Sequence, residues 1–168
     1  ESTVYYLVGW LSVKDFSNLG YFNSNQDLTI TSSDIFDNSG ILSSSNNLNL
    51  NANLLNNHGL INAANSLNIN SNQLTNLSEI SANSFIANSS SFTNSRTIYS
   101  ANSFNVNNTY KLANSGIIYS DGSLEILSNK ITNDDSAWIY SSKDISLNTN
   151  LDLTNSGNIW ATANVNLT

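Results

Sequence analysis

The chain has 168 residues, with 12 acidic against 5 basic side chains, a formal net charge of −7, and no cysteine, proline or methionine. That balance argues against nucleic acid or an anionic membrane surface as partner, since both recruit clustered Lys and Arg; it also excludes a disulfide framework or a thiolate zinc site. Asn alone supplies 33 residues, a bias that would signal low complexity if Leu, Ile, Val and aromatic residues were not set among the asparagines at regular intervals.

Residues 1–15 stand apart and are expected to form an irregular N-terminal coil or cap-like segment ahead of repeats at 16–168. They hold the apolar run Val-Tyr-Tyr-Leu-Val-Gly-Trp-Leu at 4–11, too short to span a bilayer and without a basic leader. No membrane span is expected in the fragment, and both its ends read as unfinished, as in a piece of a longer polypeptide.

From Phe16 onward an apolar-x-Asn motif recurs, with its asparagines at Asn18, Asn38, Asn57, Asn76, Asn94, Asn114, Asn133 and Asn155, spaced 20, 19, 19, 18, 20, 19 and 22 residues apart. Gly stands two residues after the Asn in five copies (Gly20, Gly40, Gly59, Gly116, Gly157), while Ser78, Arg96 and Asp135 fill the other three. Four residues after the Asn comes an apolar residue, Phe22 in the first copy and Ile159 in the last; in the seventh copy Ile139 comes six residues on, marking a two-residue insertion near Ser136. Then follow a small residue (Ser24 to Ala161) and an alternating pair (Leu28/Ile30 to Val165/Leu167).

Period-two alternation marks strands with one buried face. Three such segments per repeat are too short for βαβ units, and no window of eleven or more residues holds a helical apolar period. An internal repeat of this length signals a solenoid whose coils cover one another. The pattern predicts an all-β, parallel β-helix of about eight coils with 19–20-residue repeats, on the order of 38 Å long at a ~4.8 Å rise per coil. The recurrent Asn reads as a structural ladder whose amides bond to the coils above and below. The small position lets the chain through a tight corner, and Gly is expected at a turn of positive φ. Arg96 marks a locally altered turn. Proline would remove a donor from strands that are all central.

The motif Leu-x-Asn-x-Gly-x-Ile-x-Ala-x-x-x-Leu-x-Leu resembles the repeat of the filamentous haemagglutinin family, large exoproteins of bacterial two-partner secretion that include contact-dependent growth inhibition proteins. Its cleanest copies are residues 55–63 leading into Leu67 and Ile69, and residues 112–126; the likeness covers residues 16–167. The resemblance implies a right-handed helix, export through an outer-membrane two-partner secretion transporter, and a secreted location at the bacterial outer cell surface. It implies a structural shaft segment of a large surface adhesin, presenting a surface to host or neighbouring-cell proteins or glycans. The alternative is a receptor-binding or spacer segment of a contact-dependent toxin-delivery filament. A carbohydrate-active β-helix enzyme is the third reading; near-uniform repeat lengths, without long excursions to wall a cleft, argue against it.

No cofactor, metal or catalytic residue is expected. Asp27, Asp34 and Asp37 fall in one early coil and Asp134, Asp135 and Asp144 in late ones, without an aligned basic partner, so they read as solvated turn carboxylates. His58 lies beside Gly59 and lacks companions for a metal site. Asn-x-Ser/Thr occurs at Asn76, Asn88, Asn107 and Asn166; of these, Asn88 and Asn107 are the candidates for glycosylation. The candidate binding feature is aromatic. The position after the first inward residue is polar in four coils (Asn23, Ser43, Asn62, Ser81), then Tyr99, Tyr119, Tyr140 and Trp160. One-coil spacing predicts an outward stack, widened by Ile117 and Trp138. It reads either as packing that shields a parallel sheet or as an exposed strip for a partner. The Asn- and Ser-rich wall of the first coils is expected to offer no comparable anchor.

Overall fold

The computed structural model describes residues 5–6 and 9–168. Every regular element among them is a strand, and all the pairings are parallel, rung on rung, around a three-sided coil. On the first side Tyr21–Ser24 pairs with Ile41–Ser44, and the ladder runs on through the middle coils to Ile117–Ser120, Trp138–Ser141 and Asn158–Ala161. On the second, Gly9–Val13 pairs with Leu28–Ser32, and the ladder ends at Val165–Leu167. On the third, Phe16–Asn18 pairs with Ile35–Asn38 and continues beyond Asn133 to Asn155. In the middle coils pairing continues around the corners, so Leu60–Asn76, Glu79–Asn94 and Thr97–Asn114 are single bent strands of 17, 16 and 18 residues. Of the N-terminal segment, residues 1–4, 7 and 8 lie outside the described residues; Leu11 and Val13 pack against the core.

Alternation places one apolar residue per coil in each inward row. Leu42, Ile61, Ile80, Ile98, Ile118 and Ile139 stack on the first side, and Phe36, Leu55, Leu74, Phe92, Leu112 and Ile131 on the third, all buried. Identical residue types over one another allow face-to-face ring packing, as at Phe85 and Phe104, 4.8 Å between centroids. A full inward Leu or Ile contributes about 1.5–3 kcal/mol of transfer free energy, but only when the next coil covers it.

The motif asparagine follows the inward residue of the third side by two positions and is therefore also inward. Its amide could not be buried unpaired without a cost of about 1–3 kcal/mol. Each Nδ2 donates to the Oδ1 of the next coil, from Asn18 to Asn38 and on to Asn155, at 2.8–2.9 Å in all seven steps. The same nitrogen also donates to a backbone carbonyl of the following coil, for example Asn57 to Glu79 at 3.0 Å. An amide carries two N–H donors and an acceptor oxygen without charge, so one Asn can donate to both partners above and accept from below, which a hydroxyl with its single donor cannot.

Two expectations about the turns are corrected. The motif glycines do not adopt positive φ: among the described residues only Gly9 (119°) and Ser136 (64°) do. Glycine answers a close approach instead. A Cβ on Gly59 would lie 2.0 Å from the carbonyl oxygen of Gly40, and one on Gly116 2.1 Å from that of Arg96. Second, Asp135 does not take the glycine position of the seventh coil. The register pairs Ile117 with Trp138, so buried Ala137 stands over Gly116. The two extra residues are thrown outward as a turn closed by Ala137 N donating to Asp134 O at 3.1 Å, with Ser136 in the left-handed region that the third residue of a type II turn requires. Expelling them keeps the rows aligned, whereas a one-residue slip would turn every inward side chain outward.

Two substitutions test this account by denaturant unfolding. Asn76→Ala breaks the ladder where it is fully buried and is expected to cost about 1–3 kcal/mol, whereas Asn155→Ala, at an exposed rung, stays within about 0.5 kcal/mol. Gly59→Ala, forced against the coil beneath, is expected to cost about 1–3 kcal/mol as overpacking.

Candidate functional site

On the first side the residues flanking each inward position point out, forming two parallel outward rows. The row after the inward residue is polar in the early coils and internally bonded: Ser43 Oγ donates to Asn23 Oδ1 at 2.8 Å, and Asn62 Nδ2 to Ser81 Oγ at 2.8 Å. From the fifth motif coil it becomes aromatic. Tyr99, Tyr119, Tyr140 and Trp160 are direct cross-strand partners, with ring centroids 5.3, 4.7 and 4.8 Å apart and planes within 30° of parallel. The three tyrosines are half-buried and Trp160 is exposed. Ring faces meet within the stack, so its outer surface is made mostly of ring edges.

The other outward row carries Ile117 and Trp138 as direct neighbours, 44% and 43% exposed. Asn158 is the next rung above Trp138. Beneath, in the early coils, the same row carries Tyr21, Ile41 and Leu60 in register. Tyr21 is exposed and the other two half-exposed, so the first coils do hold an apolar run. Following only the position after the inward residue missed it.

The stack is locked at one end by a residue that sequence reasoning overlooked. Asp121 lies two residues after Tyr119, around the corner. Tyr99 Oη donates to its Oδ2 at 2.5 Å and Tyr119 Oη to its Oδ1, while Tyr140 Oη pairs with Ser142 Oγ at 3.2 Å. Hydrogen bonds from Tyr119 and Tyr99 hold the Asp121 carboxyl below its ordinary range. The hydrogen bond to Asp121, with desolvation, raises both phenols. The spacing Tyr-Ser-Asp at 119–121 was the available signal.

The remaining candidates are dispersed. Asp27 Oδ1 accepts from Asn46 Nδ2 and from the backbone and side-chain nitrogens of Asn47 at 2.6, 3.1 and 2.9 Å. Asp144 accepts from Asn164 in the same way. Both carboxylates therefore tie one corner to the next. Asp134 and Asp135 sit on the exposed inserted turn, and His58 is exposed at a bend. Asn76 is buried in the amide ladder, whereas Asn88 and Asn107 are exposed direct neighbours on the second side.

This register of inward Leu/Ile rows, buried asparagine and close-packed turn has a known counterpart. The family model for the haemagglutinin repeat matches residues 9–83 and 73–168. The chain belongs to the haemagglutinin repeat family. No curated protein and no solved structure matches it. Within these haemagglutinin repeats the inward Asn serves every motif coil from Asn18 to Asn155, whereas the aromatic stack is confined to the last four. No helix is long and apolar enough to cross a membrane among the described residues.

The clamp predicts a pH window. With its carboxyl lowered, Asp121 contributes stability that is present above about pH 4 and is lost as pH falls through the folded value; with their phenols raised, the tyrosines contribute stability that is present below about pH 10 and is lost as pH rises through theirs. In a tyrosinate absorbance titration, Asp121→Asn is expected to move the ionisation of Tyr99 and Tyr119 to lower pH.

Proposed function

We propose that this chain is a shaft segment of a large secreted bacterial surface adhesin, and that the first side of its last four coils is a contact surface for cells. The supporting observation is an inter-coil register that persists from Phe16 to Leu153 in a haemagglutinin-repeat chain. Such a solenoid projects a surface away from its base at a rise of ~4.8 Å per coil. Family membership supports export through a two-partner secretion transporter in the outer membrane and an extracellular location.

The contact reading rests on contrast within one scaffold. The early coils hold hydrogen-bonded Asn and Ser where the late coils hold rings, although the same inward rows support both. Sheet stability alone therefore does not demand aromatics at these positions. Ile117, Trp138 and Trp160 together make an exposed apolar patch on the wall whose early coils carry Tyr21, Ile41 and Leu60 in the same row as Ile117 and Trp138, and such a patch is the usual mark of an interaction surface.

The test pairs Tyr119→Ser with Trp160→Ser. Circular dichroism is expected to stay β-rich while attachment of the purified rod to cells falls several-fold. Unchanged attachment sinks the contact reading, and loss of the β signal assigns the stack to packing instead.

A further inference from the structure

The two outward rows of the first side share a symmetry across the middle coils. One row runs Ile41, Leu60, Glu79, Thr97, Ile117, Trp138 in unbroken register, and each of these rungs has a described coil on both sides. It reads alike in both directions: two apolar residues, two polar, two apolar. The other row is stepped. Short polar side chains from Ser43 to Ser81 give way to stacked rings from Tyr99 to Tyr140, and the step falls between the same two coils as the centre of the first row.

A two-fold axis lying in this face, along the strands and between Glu79 and Thr97, uses both features. It reverses the rod while each row meets its own copy, as an isologous contact requires. Ile41 of one copy then faces Trp138 of the other, Leu60 faces Ile117, and Glu79 faces Thr97. In the stepped row the short half of each copy receives the ringed half of the other, Ser81 against Tyr99 and Ser43 against Tyr140. A two-fold along the rod would instead press the bulky late coils together and hold the early coils apart.

Charge agrees. Glu79 is the one charged side chain in these two rows, in a chain whose net charge of −7 repels its copies elsewhere. Arg96 directly precedes Thr97 at the corner, so in the antiparallel pair it lies beside Glu79 of the other copy, once on each side of the axis. Both side chains are exposed, and neither forms an ion pair within the chain among the described residues. Asp121, beyond the opposite corner, falls opposite Ala64 and meets no like charge.

We infer that the first side is a homotypic interface on which two copies of this chain pair antiparallel, face to face, about the step between Glu79 and Thr97. The inference rests on the reading of this side as a contact surface, extends it to the early coils and names the partner. Six rungs of ~4.8 Å by four residues of ~3.3 Å give a face of roughly 400 Å² per copy, the size of a weak contact for an isolated segment. Rods displayed in number reach useful strength by engaging many such pairs.

Because the chain has no cysteine, Leu60→Cys and Ile117→Cys report the geometry through disulfide formation under mild oxidation. Like positions stand three rungs, ~14 Å, apart in the pair, beyond disulfide reach. Mixed, the two variants are expected to cross-link with each other about five-fold more than either does with itself. Sedimentation velocity at rising concentration is expected to show a dimer, weakened about five-fold by Glu79→Arg and by Arg96→Glu and restored when the two are combined. Equal yields of the three cross-links, preferential self-linking, or no rescue by the combined exchange overturns the antiparallel pairing. Cell attachment separates the two readings. Attachment lost in Tyr119→Ser/Trp160→Ser without any dimer overturns the pairing and leaves a contact surface for another partner. A rescued dimer with attachment indifferent to that double substitution supports the pairing and overturns the contact with cells.

Discussion

The structure depends on one constraint: each coil must sit over the last with every inward row aligned. Hydrophobic burial excludes a one-residue slip but does not by itself fix the register against a two-residue slide, because Leu over Leu and Leu over Ile are nearly equivalent. The buried amide does. An Asn shifted in this way would lose its Oδ1 partner and its carbonyl partner together, at the cost of unpaired polar groups in a dry interior. The ladder thus gives direction and register to a core that is otherwise permissive, and the close-packed glycine turns set the distance of approach.

With the register secured from inside, the outer face is free to vary. The first side shows this within one chain. Polar rungs at Asn23, Ser43, Asn62 and Ser81 give way to the ring stack from Tyr99 onward, while the inward row behind them stays apolar throughout, as Phe22, Leu42 and then Ile from Ile61 on. The corner chemistry varies as well. Ser44 Oγ donates to Gln26 O and Asn47 O, Ser100 Oγ to Ser120 Oγ, while Ala63 and Ala82 fill the same corner with no polar atom. What the corner requires is small volume.

Much of this was legible in the sequence because a solenoid converts sequence spacing directly into spatial adjacency. Positions one repeat apart are neighbours, so Tyr99, Tyr119, Tyr140 and Trp160 could be placed over one another before any coordinates. What escaped were relations that do not run along a row. The Asp121 clamp runs diagonally, from a carboxylate beyond the corner to hydroxyls in two coils. Ala137 replaces a glycine only once the inserted turn is looped out, which counting from Asn133 cannot reveal. The glycines themselves were found for the wrong reason, because a turn of positive φ and a turn pressed against a carbonyl select the same residue.

The axial direction of the amide ladder has a mechanical corollary. Its hydrogen bonds, like those of the three strand ladders, run between successive coils along the rod, so tension on the ends is borne by every interface in series and each can open without the next. Peeling one coil gives up about 4.8 Å of rod and frees some 19 residues, roughly 60 Å of extended chain. A filament built this way is stiff at rest and yields stepwise under load, lengthening more than tenfold per released coil, while the coils still stacked keep their outer surfaces intact.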